Sequence, residues 1–149
     1  MTMRVYVDTS VIGGCLDEEF AEESVALLEM ARQGGLVLLV SDLLLEELGK
    51  APPAVLAVLE RLPVDCTETL VASEESRRLR DAYLAAGIVG DASESDAHHV
   101  ALATIARADL IVSWNFKHIV HVDKIKMFNS VNLMQGYGLI DIRSPLEVV

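Results

Sequence analysis

A chain of 149 residues that is 52% hydrophobic and 23% charged has the size of one domain, can bury a sizeable core, and is not a disordered or low-complexity segment. Its net charge of −11 excludes broad electrostatic attachment to a phosphate backbone, so any nucleic-acid contact has to be local. Two cysteines, Cys15 and Cys66, are too few for a disulfide framework and lack zinc-ligand spacing, so they read as small buried thiols.

From the N-terminus, the apolar run at 5–7 predicts a strand, and Arg4 with the early Asp8 leaves no room for the h-region of a signal peptide. No apolar stretch approaches the roughly 20 residues of a membrane span, so the expected location is the cytoplasm. Asp8 closes that strand, with Thr9 and Ser10 behind it. An Asp at a strand end can simply bond the next turn's amides. The same three residues also offer a carboxylate and two hydroxyls for a metal-held water or a phosphate oxygen.

A helical pattern at 22–33 stops at Gly34 and Gly35, a second strand follows at 36–40, and a leucine-rich helix is expected at 42–49. This helix carries Glu46 and Glu47. At about 100° per residue, Glu47 falls at about 300° from Leu44, inside the leucine arc, whereas Glu46 falls at about 200° on the opposite side. Glu46 also precedes Lys50 by four residues, the spacing of a solvated surface pair. A glutamate on a buried arc needs a partner to offset desolvation, and a metal supplies one.

Helices are further expected at 53–61, 69–86, 94–108 and 122–135, with strands at 64–66, 110–114 and 139–142. Strands alternating with helices predict a parallel sheet of about five strands covered on both faces, a three-layer α/β/α architecture over residues 1–149. In such sheets ligands bind beyond the carboxyl ends of the strands, where strand order reverses. Asp8 and the segment Ser113-Trp114-Asn115-Phe116-Lys117-His118 are expected there together. Asp96 falls in the first turn of the helix at 94–108, a place the helix dipole alone favours for a carboxylate, yet that helix is apolar almost all round beyond His98 and His99 and should be buried.

Three dispersed acids meeting at one sheet edge suggest a hard-cation site, since Mg²⁺ and Mn²⁺ prefer oxygen ligands. His98 and His99 diverge by about 100° on a helix, which disfavours shared zinc. Lys117, His118, His121, Lys124 and Lys126 form either a local basic patch beside the acids or a solvated helix face. Dinucleotide, P-loop and serine-hydrolase motifs are absent.

The ordered set Asp8-Thr9-Ser10, Glu47-Leu48, Asp96-Ala97 and Ser113 to His118 resembles the PIN-domain family, which includes metal-dependent nucleases and the VapC-type ribonuclease toxins of prokaryotic toxin–antitoxin pairs. The similarity runs over nearly the whole chain. It implies a metal-dependent endoribonuclease with Asp8, Glu47 and Asp96 as ligands of Mg²⁺ or Mn²⁺, Asn115 orienting water, and Thr9, Ser10, Lys117 and His118 contacting substrate. It also implies an RNA substrate and a cognate antitoxin partner. At the family's fourth acidic position stands Asn115, and the acid sometimes found slightly later is replaced by His118. Two-metal catalysis leans on negative ligands, so single-metal occupancy is the expectation. The alternative is a PIN-like binding or regulatory protein whose altered fourth position has weakened or ended catalysis. The apolar excess suggests a homodimer.

Overall fold

The computed structural model describes residues 2–149. Its centre is a five-stranded, all-parallel sheet of order β3-β2-β1-β4-β5, built from β1 (Met3–Val7), β2 (Leu36–Ser41), β3 (Thr67–Leu70), β4 (Leu110–Val112) and β5 (Ile142–Arg143). The chain builds outward from β1 through β2 to β3, then returns to place β4 on the other side of β1. The order therefore reverses between β1 and β4.

Alternation along the strands makes two cores. Val5, Val7, Leu36, Leu38, Val40, Leu110 and Val112 face one side, whereas Tyr6, Leu39 and Ile111 face the other. The first side is covered by α1 (Thr9–Gly14), α2 (Ala21–Arg32), α3 (Asp42–Gly49) and α4 (Pro53–Glu60), through residues such as Ile12, Leu27, Leu44 and Leu59. The second is covered by α5 (Glu74–Ala85), α6 (Glu94–Ile105) and α7 (Val122–Met134), through Leu79, Val100 and Phe128. A last helical turn, α8 (Pro145–Val148), follows β5. No helix among the described residues is long and apolar enough to cross a membrane.

The three-layer architecture agrees with the sequence reading, and the differences from it are local. The strand expected at 64–66 is a 3₁₀ turn, because Pro63 fixes the entry and Cys66 closes back on the Pro63 carbonyl; the strand forms one step later, at Thr67–Leu70. The helix expected from 69 starts only at Glu74. Thr67–Leu70 pairs with β2, and Ser73 and Ser76 close a reciprocal capping box that sets the start. Residues 139–141 lie beside β4 without joining a strand, held by Asn129, which accepts from the Ile140 amide at 2.7 Å and donates to its carbonyl at 3.1 Å.

The helix expected at 94–108 ends at Ile105, with Arg107 in the left-handed region at φ 57° and the Ala108 amide turned back to Ala103. Arg4 caps the freed carbonyls of Ala106 and Arg107 at 2.8 and 3.2 Å. Neither α1 nor α8 was expected, since each is too short for periodicity to register.

Gly14, the last residue of α1, is the closest approach in the first core. A Cβ there would stand 2.6 Å from Ser24 Oγ and 3.0 Å from the Trp114 indole nitrogen, which are themselves hydrogen bonded at 2.7 Å. Gly14→Ala should therefore destabilise the fold by about 1–3 kcal/mol through overpacking. Urea unfolding followed by the emission of Trp114, the single tryptophan, would record it as a lower midpoint.

Candidate functional site

The site is built at the switch point between β1 and β4, where each strand ends in a polar residue. Asp8, immediately after β1, is only 4% exposed and is held on both oxygens: Ser10 donates to Oδ1 at 2.5 Å and Ser113, immediately after β4, donates to Oδ2 at 2.6 Å. Ser10 also accepts the Trp114 amide at 2.9 Å, and Ser113 accepts the Asn115 amide at 2.9 Å. Two hydroxyls thus sew the ends of two strands to one carboxylate. Burial pushes the Asp8 carboxyl above the usual carboxylate range, and the negative charge of Asp96 adds to that, against the opposing effects of His99, Ser10 and Ser113.

Glu47 comes from α3 and turns inward, while Glu46 points to solvent 4.0 Å from Lys50, as their places on the helix wheel predict. Thr9 donates to Glu47 Oε1 at 2.8 Å, and the same oxygen lies 2.5 Å from His99 Nε2. A carboxylate only accepts, so Nε2 carries a proton toward Glu47, and Nδ1 is hydrogen bonded to the Tyr6 hydroxyl at 2.5 Å. The Tyr6 oxygen in turn takes the hydroxyl of Ser41 at 2.9 Å, and Ser41 caps α3 by accepting the Leu44 amide at 3.1 Å. Burial would raise Glu47, but the hydrogen bond and charge of His99, with Thr9 and Lys50, hold it below the usual range. Burial, first of all, pushes the Tyr6 phenol far up, so it stays protonated.

Asp96, at the start of α6, accepts from His118 Nδ1 at 2.9 Å, and the His118 amide donates to Asn115 Oδ1 at 2.9 Å. Asn115 and His118 thus act together on the loop after β4. Lys117 is exposed. The wider basic patch is divided: His118 joins the acids, and Lys124 is tied to the Ile88 carbonyl at 2.7 Å.

Asp8, Glu47, Asp96, Thr9 and Ser10 lie at this edge of the sheet, and Glu46 does not. Ser113 was expected here only as the first residue of the segment after β4, His99 was weighed only as a zinc ligand with His98, and Tyr6 and Ser41 were not singled out. For His99 a signal existed, because it stands three residues after Asp96 and so shares its helix face; Tyr6 and Ser41 look from sequence like ordinary strand residues. His98 and His99 do diverge, His98 toward Ser76 on α5 and His99 toward Glu47 on α3.

Among the described residues, no group of three or more His, Cys, Asp and Glu side chains is gathered to hold a metal ion. The donor chemistry nevertheless suits a hard cation. Mg²⁺ commonly takes one or two carboxylates and completes its shell with water, and the negative charge of Asp96 adds to the cost of ionising buried Asp8, which a cation would reverse. The hydrogen bonds fall on Glu47 Oε1 and Asp96 Oδ2, leaving Oε2 and Oδ1 as donors.

No protein-family model and no curated protein matches the sequence. Solved structures do share the fold. A chain of VapBC2 from Rickettsia felis, bound to a DNA fragment from their promoter, is similar with a TM-score of 0.60 at 14% identity, over 95% of this chain and 98% of that one. A chain of FitAB bound to an IR36 DNA fragment gives 0.56 at 16% identity, over 95% and 94%. A chain of FitAcB from Neisseria gonorrhoeae gives 0.56 at 14%, over 95% and 98%.

Proposed function

We propose that this chain is a metal-dependent endoribonuclease of the cytoplasm and the toxin component of a toxin–antitoxin pair, hydrolysing phosphodiester bonds of single-stranded RNA. The observation that carries the reading is Asp8, a buried carboxylate at the switch point of a parallel sheet, raised further by the negative charge of Asp96. Burying an acid beside a second acid costs stability, and a cation is the partner that relieves it. The fold likeness to VapBC2 and FitAB chains, together with the PIN-domain resemblance of the motifs, supports the nuclease class and a protein antitoxin. A net charge of −11 favours single-stranded RNA over a duplex tracked by a broad basic surface, and suits a basic antitoxin.

Asp8, Glu47 and Asp96 would hold Mg²⁺ or Mn²⁺, which when bound polarises the scissile phosphate and acidifies the attacking water. Ser10 and Ser113 fix the carboxylate plane of Asp8, and Thr9 with His99 fixes Glu47. Asn115, whose oxygen accepts the His118 amide, would orient water through its NH2 group, and the exposed Lys117 would meet a phosphate. His118 keeps Asp96 oriented. A second copy of the chain is the proposed partner for the exposed apolar residues Leu133, Met134 and Leu139. A sedimentation profile showing only monomer at micromolar concentration would remove this last element.

The test is incubation of a mixed single-stranded RNA with Mg²⁺ or Mn²⁺. Cleavage is expected, with loss on chelation and a fall of about 10²-fold or more in Asp96→Asn. The competing reading, a PIN-like binding or regulatory protein, is favoured by Asn115, which contributes no charge at the fourth position and gives its oxygen to the His118 amide. Intact RNA after incubation with folded, metal-supplied protein would select it.

A further inference from the structure

We propose that Phe116 is a stacking platform for a nucleobase of the RNA, adjoining the acid site; the inference rests on the ribonuclease reading above. Of the one Trp, three Tyr and three Phe side chains, Phe116 is the exposed one, at 46%. It stands in the loop that carries Asn115 and His118, one residue after the first and two before the second, and the His118 ring reaches Asp96. What sets it apart from the other exposed apolar side chains is its aromatic face and its place in the loop of the acid site.

The ring is also braced as a platform has to be. Phe116 meets Trp114 edge-on, with centroids 6.2 Å apart and planes at 68°. Trp114 is 7% exposed, packs against Phe20 at 4.4 Å, and is pinned by Ser24 through its indole N–H and by Ser10 through its amide. The loop backbone is closed by Ile119 and Val120, whose amides both turn back to the Asn115 carbonyl at 3.1 and 2.8 Å. Stacking on an aromatic face does not depend on a broad basic surface, so it is available to an acidic chain whose phosphate contacts have to be local. Lys117, the next residue in the chain and exposed, would meet the phosphate of the stacked nucleotide.

Binding of a fluorescently labelled single-stranded RNA, read by anisotropy in chelator, tests the platform without cleavage, using wild type, Phe116→Ala, Phe116→Leu and Phe116→Tyr. Stacking of one base predicts a weakening of about tenfold or more in both Phe116→Ala and Phe116→Leu. Phe116→Tyr should restore affinity, an abasic nucleotide series should weaken wild type only, and thermal midpoints should be unchanged. Wild-type affinity in Phe116→Ala overturns the platform, as does full affinity in Phe116→Leu, which would mark a mere apolar contact. Absence of binding by wild type also overturns it, since stacking needs no metal. A parallel Mg²⁺ cleavage arm with wild type then judges the nuclease reading separately.

Discussion

Asp8→Asn is expected to lower RNA cleavage by about 10²- to 10³-fold, yet to raise the melting temperature of the chelated protein. Asp8 is almost wholly buried, and its folded-state carboxyl titrates above the ordinary value because burial, and then Asp96, penalise the anion. For an acid raised by folding, the favourable contribution is complete below the unfolded value and is lost as pH climbs through the folded one. At neutral pH the charge is therefore a cost. An asparagine keeps one oxygen and one amide for Ser10 and Ser113, whose hydroxyls can reverse, while removing that charge. A gain of about 1 kcal/mol would appear as roughly 2–4 °C in a chain of this size.

Scanning calorimetry in chelator at pH 8 and again near pH 4.5 makes the argument testable. The variant's advantage should be largest at pH 8 and shrink with acidification. Mg²⁺ should stabilise wild type and leave Asp8→Asn nearly unmoved, because only the carboxylate gives the ion a preference for the folded state. A variant that melts below wild type at pH 8 would instead make Asp8 a purely structural bracket between the two strands, and retained cleavage would remove it from the reaction.

Much of this site could be read from residues because it obeys periodic rules. The inward turn of Glu47 and the outward turn of Glu46 follow from about 100° per residue, and the meeting of Asp8 with the segment after β4 follows from parallel topology. Strands β1, β2 and β4 were legible because they are buried on both faces and so read as continuous apolar runs. Edge strand β3 was not, since its sequence TETL is half exposed and resembles the start of a helix. The chain from Ser41 through Tyr6 and His99 to Glu47 joins residues 35 to 93 positions apart, and no local pattern carries such a pairing. Sequence periodicity places side chains on faces; which polar atoms then meet is decided by packing.

His98 shows what such packing costs, and it leads to the second large effect: the fold should lose stability steeply as pH falls below about 6.5, the ordinary histidine value. Its Nε2 lies 3.0 Å from Ser76 Oγ, whose own hydroxyl already donates to the Ser73 carbonyl at 2.9 Å, so the histidine is the donor. Burial lowers its pKa to about 4, and Arg80, His99 and Arg77 oppose a further positive charge more than Asp42 favours it. For a group depressed by folding, the stability is present above the unfolded value and is lost as pH falls toward the folded one.

From 6.5 to about 4, the full loss is roughly 3 kcal/mol at 1.36 kcal/mol per unit. Asp8 acts in the opposite sense, so the difference between wild type and His98→Gln isolates the histidine; glutamine can still donate to Ser76. Urea midpoints at pH 7.5, 6 and 4.5 should fall steeply for wild type and less for the variant. Parallel slopes would mean that His98 is charged without penalty in the folded chain. Because His98 locks α6 to α5 at the turn that carries Asp96 and His99, its protonation should loosen the acid site as the helix pair separates, and cleavage should fail at the same pH as stability.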